Sequence, residues 1–428
     1  MNKLTMMLAA TASLLGPALA QDLSQDISKG LAGYRQGLAG AREAFQAEDW
    51  AALDAALTDA QTAAPGSLYV YRNRILAKML LDQPDEALAL VGQAADQGLT
   101  LTLAGHPAFE ELTALPGYKA IAAKMETNAG PLGDPESMRE FADTELLPEA
   151  IAFDRKKALY IGSVRSGAIL KAGKKDDALT LVAKAPGGVF DIELRNKTLW
   201  AAVNNQLAYK QAGEEDPFAA VMVFDARTGA PKKEIRVDEA DAILGDLEVA
   251  KDGTTYASDS GTPRIFRLPR DGDSMEVFSA DPAFVNPQGI ALDEKSGMLY
   301  MADYLAGIFA IDTQTGEAMQ LSNDAKAWLG GIDGLYLYED GLIGIQNGST
   351  PQRIVYLGLN DDKTAITSFI TMHRNLEGWN EPTHGAVVGD EFHYIAASNW
   401  PSYGDDGTVK EEPPLQPVRI MTLPLESK

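Results

Sequence analysis

The sequence predicts a mainly β protein, a six-bladed β-propeller preceded by a small all-α domain. Three observations lead there. From about residue 138 onward, apolar residues come in runs of four to six between clusters of Gly, Asp and Ser, the mark of short buried strands. A two-strand pattern recurs six times, opening at Glu149, Phe190, Gly245, Gln288, Asp333 and His384, with 41 to 55 residues between successive starts. Such an interval is the period of propeller blades. Residues 21–127 instead carry apolar residues at helical spacing, as Leu31, Tyr34, Leu38, Ala41 and Phe45 do.

The first element, residues 1–20, reads as a cleavable leader. Lys3 gives a positive start, Leu4 to Leu15 is mostly apolar, and Ala18-Leu19-Ala20 is a small-x-small site before Gln21. The apolar run is too short for a membrane span, which needs roughly 18 apolar residues, and no later stretch supplies one. The mature chain, cut between Ala20 and Gln21, is expected in the periplasm or outside the cell. It has no cysteine, so its stability must come from its core and not from disulfides. A net charge of −24, from 37 basic and 61 acidic residues spread along the chain, repels nucleic acid and anionic lipid heads and gathers cations.

In the helical region, Glu48-Asp49-Trp50-Ala51-Ala52-Leu53-Asp54 aligns with Gln83-Pro84-Asp85-Glu86-Ala87-Leu88-Ala89 at an offset of 35 residues. Between them, after a Pro65-Gly66-Ser67 break, runs a partner helix from Leu68 to Ala77. Paired helices at this period, with small Ala at the packing positions, resemble tetratricopeptide repeats. That resemblance implies a concave groove for a protein or peptide partner; a plain helical cap is the other reading. His106 is expected to cap or pack. Residues 128–137 carry Gly130-Pro131, Gly133 and Asp134-Pro135, a linker composition.

The propeller then occupies 138–428. Its last copy has strands at 384–388, 392–397 and 418–423, with no fourth after them. Met138 to Ala142 is expected to supply the missing strand and close the ring.

In a propeller, the first residue of each copy faces the central channel at one end, so Glu149, Phe190, Gly245, Gln288, Asp333 and His384 form a ring, with Asp191 and Asp246 next to it. Loops after each second strand open on the same face. They carry Ser163 and Arg165, Asn204 and Asn205, Asp259 and Ser260, Asp303 and Tyr304, Gln346 and Asn347, then Ser398, Asn399 and Trp400. Carboxylates and amide oxygens are hard ligands of the kind calcium takes. His393 is expected to pack, and His373 to lie on a solvent-facing outer strand. No nucleophile elbow, H-E-x-x-H, phosphate loop or cysteine nucleophile is present.

Six such copies, with Pro148-Glu149 opening the first and Ile332-Asp333-Gly334-Leu335 opening the fifth, resemble the senescence marker protein / gluconolactonase / luciferin-regenerating enzyme family over roughly residues 140 to 428. The resemblance implies a lactone hydrolase with one divalent cation in the channel. The family's ligands are a Glu of the first copy, Asn of the third and fourth, and an Asp of the fifth. Glu149 and Asp333 stand at matching positions. Gly245 and Gln288 stand where Asn is usual; Gln288 offers an amide oxygen on a longer arm, and Asp246 would have to turn inward. The implied ligand set is Glu149, Asp246, Gln288 and Asp333, with calcium expected, zinc the alternative, and no organic cofactor. Asp333 or His384 would be the general base for water attacking a lactone or related cyclic ester. Arg165, Asn205, Tyr304, Asn347, Asn399 and Trp400 are the candidate substrate contacts. A non-catalytic scaffold, binding a protein or sugar partner through the propeller face and helical groove, is the competing reading.

Overall fold

The computed structural model describes residues 29–425 except 177, 207, 214, 240, 405 and 406; the leader read at residues 1–20 lies outside them. The chain divides into two units, Met1–Ala129 and Gly130–Lys428.

The first unit is six α-helices: α1 Gly30–Gln46, α2 Trp50–Ala63, α3 Leu68–Leu80, α4 Pro84–Asp96, α5 Glu110–Ala114 and α6 Tyr118–Ala129. Their starts follow from local chemistry. The Asp49 side chain accepts from Ala52 N to cap α2, and Ser67 accepts from Val70 N to cap α3. Pro84 sits at the opening of α4, where its missing N–H costs nothing. A Cβ on Gly37 would lie 2.7 Å from the Ala60 backbone nitrogen, so α1 and α2 touch at backbone distance. His106 Nδ1 accepts from Ala108 N and caps a short turn. No helix among the described residues is long and apolar enough to cross a membrane.

The second unit is a ring of six antiparallel sheets. Blade I spans Pro148–Lys184, blade II Gly188–Arg236, blade III Leu244–Ser279 and blade IV Pro287–Gln320. Blade V spans Gly334–Arg374 and gains a fifth, parallel strand from Ser322–Asn323. Blade VI takes three strands from Gly385–Pro424 and its outermost from Ser137–Phe141, with Ser137 opposite Thr422 and Phe141 opposite Val418. The ring is therefore closed by the strand expected at its N-terminal side, which removes a free edge. Phe141 fixes the seam: it is 1% exposed and packs with Ile395, Val418 and Ile420 of blade VI and with Ile151 and Ile161 of blade I.

Neighbouring blades bury their faces on each other, as no single blade can alone. Ile192 and Met222 of blade II meet Tyr160 and Ile169 of blade I, and Leu335 and Leu357 of blade V meet Tyr300 and Ile308 of blade IV. His373 departs from the expected solvent-facing position. It is 1% exposed, with Nδ1 2.9 Å from the Tyr394 hydroxyl. The segment around Gly133 covers its ring, drawn in by the Leu132–Arg374 bridge.

Candidate functional site

The innermost strands bulge where the copies open. In blade I the register slips between Pro148 and Ala150, in II between Val189 and Asp191, in III between Leu244 and Leu247, in IV between Pro287 and Ile290. The residues left unpaired are Glu149, Phe190, Gly245 with Asp246, and Gln288 with Gly289. A bulge leaves its extra residue out of the ladder and re-aims its side chain. In blades V and VI, Asp333 and His384 stand one residue before the first ladder pair. The openings read from sequence are thus the points where the channel wall is free to present side chains.

Three of them converge. Glu149 and Asp333 feel each other's charge across 184 positions of sequence. His384 Nδ1 lies 3.9 Å from Glu149 Oε1 and has no hydrogen-bond partner among the described residues, although His384 is 5% exposed. The Trp400 indole N–H donates to Glu149 Oε2 at 2.5 Å. Asp333 Oδ2 accepts from Asn347 Nδ2 at 2.6 Å, and Asn347 Oδ1 accepts from the Tyr304 hydroxyl at 3.1 Å.

The electrostatics of this cluster are those of crowded acids in a dry place. Burial, then the Asp333 charge, hold Glu149 well above the ordinary carboxylate range. Burial also raises Asp333, against the pull of His384 and the Asn347 hydrogen bond. Glu381, three residues before His384, adds a third carboxyl that burial and Asp333 push up to about 7. Its proximity was not read from sequence; the only signal was its place in the segment that enters blade VI.

Gln288 donates Nε2 to Asn286 Oδ1 at 2.9 Å. Its Oε1 reaches over blade III, 3.4 Å from where a Gly245 Cβ would sit. Asp246 does not turn toward Glu149 and Asp333. Its Oδ1 accepts from Leu247 N and its Oδ2 from Ile290 N of blade IV, both at 2.8 Å, and it hydrogen-bonds Asp191. Asp191 in turn accepts from Leu247 N at 3.1 Å, and Glu193 accepts from Val249 N at 2.5 Å. The cause is the bare inner edge of each blade: its backbone N–H groups need acceptors, and the carboxylates of the preceding blade supply them.

Other candidates are engaged by their own loops. Asn205 accepts from Phe218 N and donates to Asp216 O. Asn399, at φ 76°, accepts from Gln416 N and donates to Gln416 O and Thr144 O. Arg165 lines a different cleft together with Lys210. A general pattern underlies this. Ser163, Asn204, Asp259, Asp303, Gln346 and Ser398, all fully buried, close the second strands by binding the backbone that leads into an inner strand. They are latches.

Among the described residues, no group of three or more carboxylate, imidazole or thiol side chains converges at metal-ligand spacing. Of the four residues implied by resemblance, Asp246 is held by the backbone of its own and the next blade. Glu149 and Asp333 remain as hard donors whose buried charge a cation would offset.

No family model matches the chain, and no curated protein matches it. Among solved structures, it is similar to a PQQ-bound aldose sugar dehydrogenase from Streptomyces coelicolor, at 16% identity and a TM-score of 0.47 over 69% of this chain and 100% of that one. It is similar to a luciferin-regenerating enzyme at 14% identity and a TM-score of 0.47, covering 69% and 95%. It is also similar to regucalcin, a calcium-binding protein from Agrobacterium tumefaciens, at 14% identity and a TM-score of 0.48, covering 68% and 95%. At these scores the similarities carry no argument about activity, and the chemistry rests on the residues themselves.

Proposed function

We propose that the protein is a hydrolase of a lactone or related cyclic ester, acting at the propeller mouth. The observation that carries this reading is the meeting of Glu149, Asp333 and His384 from blades I, V and VI, two acids with raised protonation points beside an imidazole nitrogen without a partner. Groups perturbed in this way mark functional sites. A divalent cation, calcium by donor type or zinc if the imidazole joins, held by Glu149, Asp333 and Gln288, would supply Lewis-acid polarisation of the ester carbonyl. His384 accepts the proton of the attacking water. Asp333, fixed by Asn347 and through it by Tyr304, orients the imidazole and steadies its charge. Trp400 donates its indole N–H to Glu149 Oε2 and holds that carboxylate in place. On the leader read at residues 1–20, this chemistry takes place outside the cytoplasm.

The test is a thermal melt with calcium or zinc against chelator, followed by a lactone panel. A cation at 100 times its dissociation constant should add about 2.7 kcal/mol of stability. Turnover should vanish in Asp333→Ala. The reading fails if neither a melting shift nor turnover is seen. A non-catalytic scaffold is the second reading, favoured by the helical unit α1–α6, which hydrolysis of a small ester does not require. It predicts a bound partner without turnover.

A further inference from the structure

The side chains that fasten blade VI to the closing strand hold more chemistry than fastening needs. Cross-strand register sets His393 opposite Thr422, and Thr422 opposite Ser137, so the three share one face of the sheet. Thr422 Oγ1 lies 2.9 Å from His393 Nδ1 and 3.0 Å from Ser137 Oγ. The opposite ring nitrogen, His393 Nε2, lies 3.3 Å from Glu391 Oε2, and Lys157 of blade I holds that same oxygen at 2.6 Å. The Phe153 ring of blade I, 4.5 Å away between centroids, packs the imidazole in place.

These partners decide which nitrogen carries the proton. The Lys157 ammonium holds Glu391 below the usual carboxylate range, so Glu391 is ionised and can only accept. The imidazole N–H therefore sits on Nε2, and Nδ1 is left to accept from the Thr422 hydroxyl. The Thr422 oxygen in turn accepts from Ser137. Burial lowers His393; Glu391 on its own strand opposes this, while Lys157 of blade I and Arg139 of the closing strand add to it. The ring is thus neutral near neutral pH and able to take a proton. Thr422 is 4% exposed, but Ser137, the outer end of the row, is exposed. A hydroxyl in reach of a base that a third group orients is the general mark of an activated nucleophile.

We propose that Ser137 is a second reactive centre, a serine that takes an acyl group from an activated carboxylic ester. Ser137 Oγ bonds to the acyl carbon, and the ester's C–O bond to its leaving group breaks. The Ser137 proton passes to Thr422 as the Thr422 proton passes to His393 Nδ1, and the imidazolium then hands a proton to the departing oxygen. Glu391 steadies the imidazolium while it carries charge.

The experiment treats the full chain with p-nitrophenyl acetate and locates the acetyl group by peptide mass spectrometry. Ser137 should carry it ahead of any lysine. The rate should climb with pH as His393 loses its proton and then level off near neutrality, whereas an unassisted hydroxyl would keep climbing. Thr422→Val keeps the side-chain shape and breaks the relay; it should slow acetylation of Ser137 about 100-fold. His393→Gln should do the same and remove the levelling. Circular dichroism checks that both variants fold. Should either unfold, Glu391→Gln, at a half-buried position, should still slow the reaction without emptying the core. Acetyl groups on lysines and none on Ser137 overturn the proposal. So does an unchanged rate at Ser137 in Thr422→Val, His393→Gln or Glu391→Gln. The covalent mark is read and not ester turnover, so hydrolysis at the channel mouth does not enter.

Discussion

The indole N–H of Trp400 donates to Glu149 Oε2 at 2.5 Å, joining residues 251 positions apart and tying the loop of the last blade to the opening of the first. The carboxylate it serves is buried and raised well above its ordinary range, so this donor is one of the few groups that favour its charged form.

Trp400→Phe keeps the ring and removes the donor. Glu149 should then hold its proton to still higher pH, and the acid limb of a lactone pH–rate profile should move toward alkaline pH. Denaturant melts at neutral pH should show a loss of about 1–3 kcal/mol, the cost of a buried charged acceptor left unpaired. An unmoved acid limb would mean that Glu149 is not the titrating group.

Glu381 and Glu193 give the apo protein a pH dependence of definite sign. Burial, helped by Asp333, raises Glu381 to about 7; burial raises Glu193 to about 7 against the pull of Arg195. Unfolded, each titrates near 4.3. Between those values the folded state binds more protons, so stability is greatest below the unfolded value and is lost as pH rises through about 7. Melting at pH 5.5 should exceed melting at pH 8, by about 1–2 kcal/mol for each group. Glu381→Gln and Glu193→Gln should each flatten the curve.

Gly289→Ala tests how tightly blades IV and V are set. A Cβ there would lie 2.4 Å from Leu335 N and 2.5 Å from Asp333 O, and the Gly289 N–H already donates to that oxygen at 2.6 Å. The added methyl must push the Asp333 backbone away. The expected loss is about 1–3 kcal/mol by chemical denaturation. A larger fall in lactone turnover than the stability loss explains should accompany it.

Phe141→Ala should cost about 3–5 kcal/mol, because it empties the apolar seam between blades VI and I. Differential scanning calorimetry on the propeller transition reads this directly. A cost under about 1 kcal/mol would show that backbone pairing alone holds the ring shut.

The ring was legible in sequence because strand faces repeat: Ile290-Ala291-Leu292 and Leu299-Tyr300-Met301 announce the same two strands that Leu335 and Ile343 announce later. Closure by the 137–141 segment followed from counting strands in the last copy. The site was less legible, because residue type does not reveal what a polar side chain already holds. Asp303 and Tyr304 are adjacent and both polar. Asp303 accepts backbone N–H from Val285 and Ala306 deep in the blade, while Tyr304 reaches Asn347 beside Asp333. Asp246 was similarly opaque, since the Ile290 N–H that donates to it lies on the neighbouring blade, 44 residues downstream. His373 looked peripheral only because its covering segment precedes the ring by sequence and crosses it in space.

The hydroxyls of Ser137 and Thr422 meet at 3.0 Å although 285 residues separate them. A nascent chain therefore exposes its fastening strand before any sheet exists, and that strand waits bare until the final one emerges. Such long-range pairing slows folding and exposes a sticky edge meanwhile. Clipping the chain ahead of Val418 would cost more than one sheet: the hoop would have no clasp.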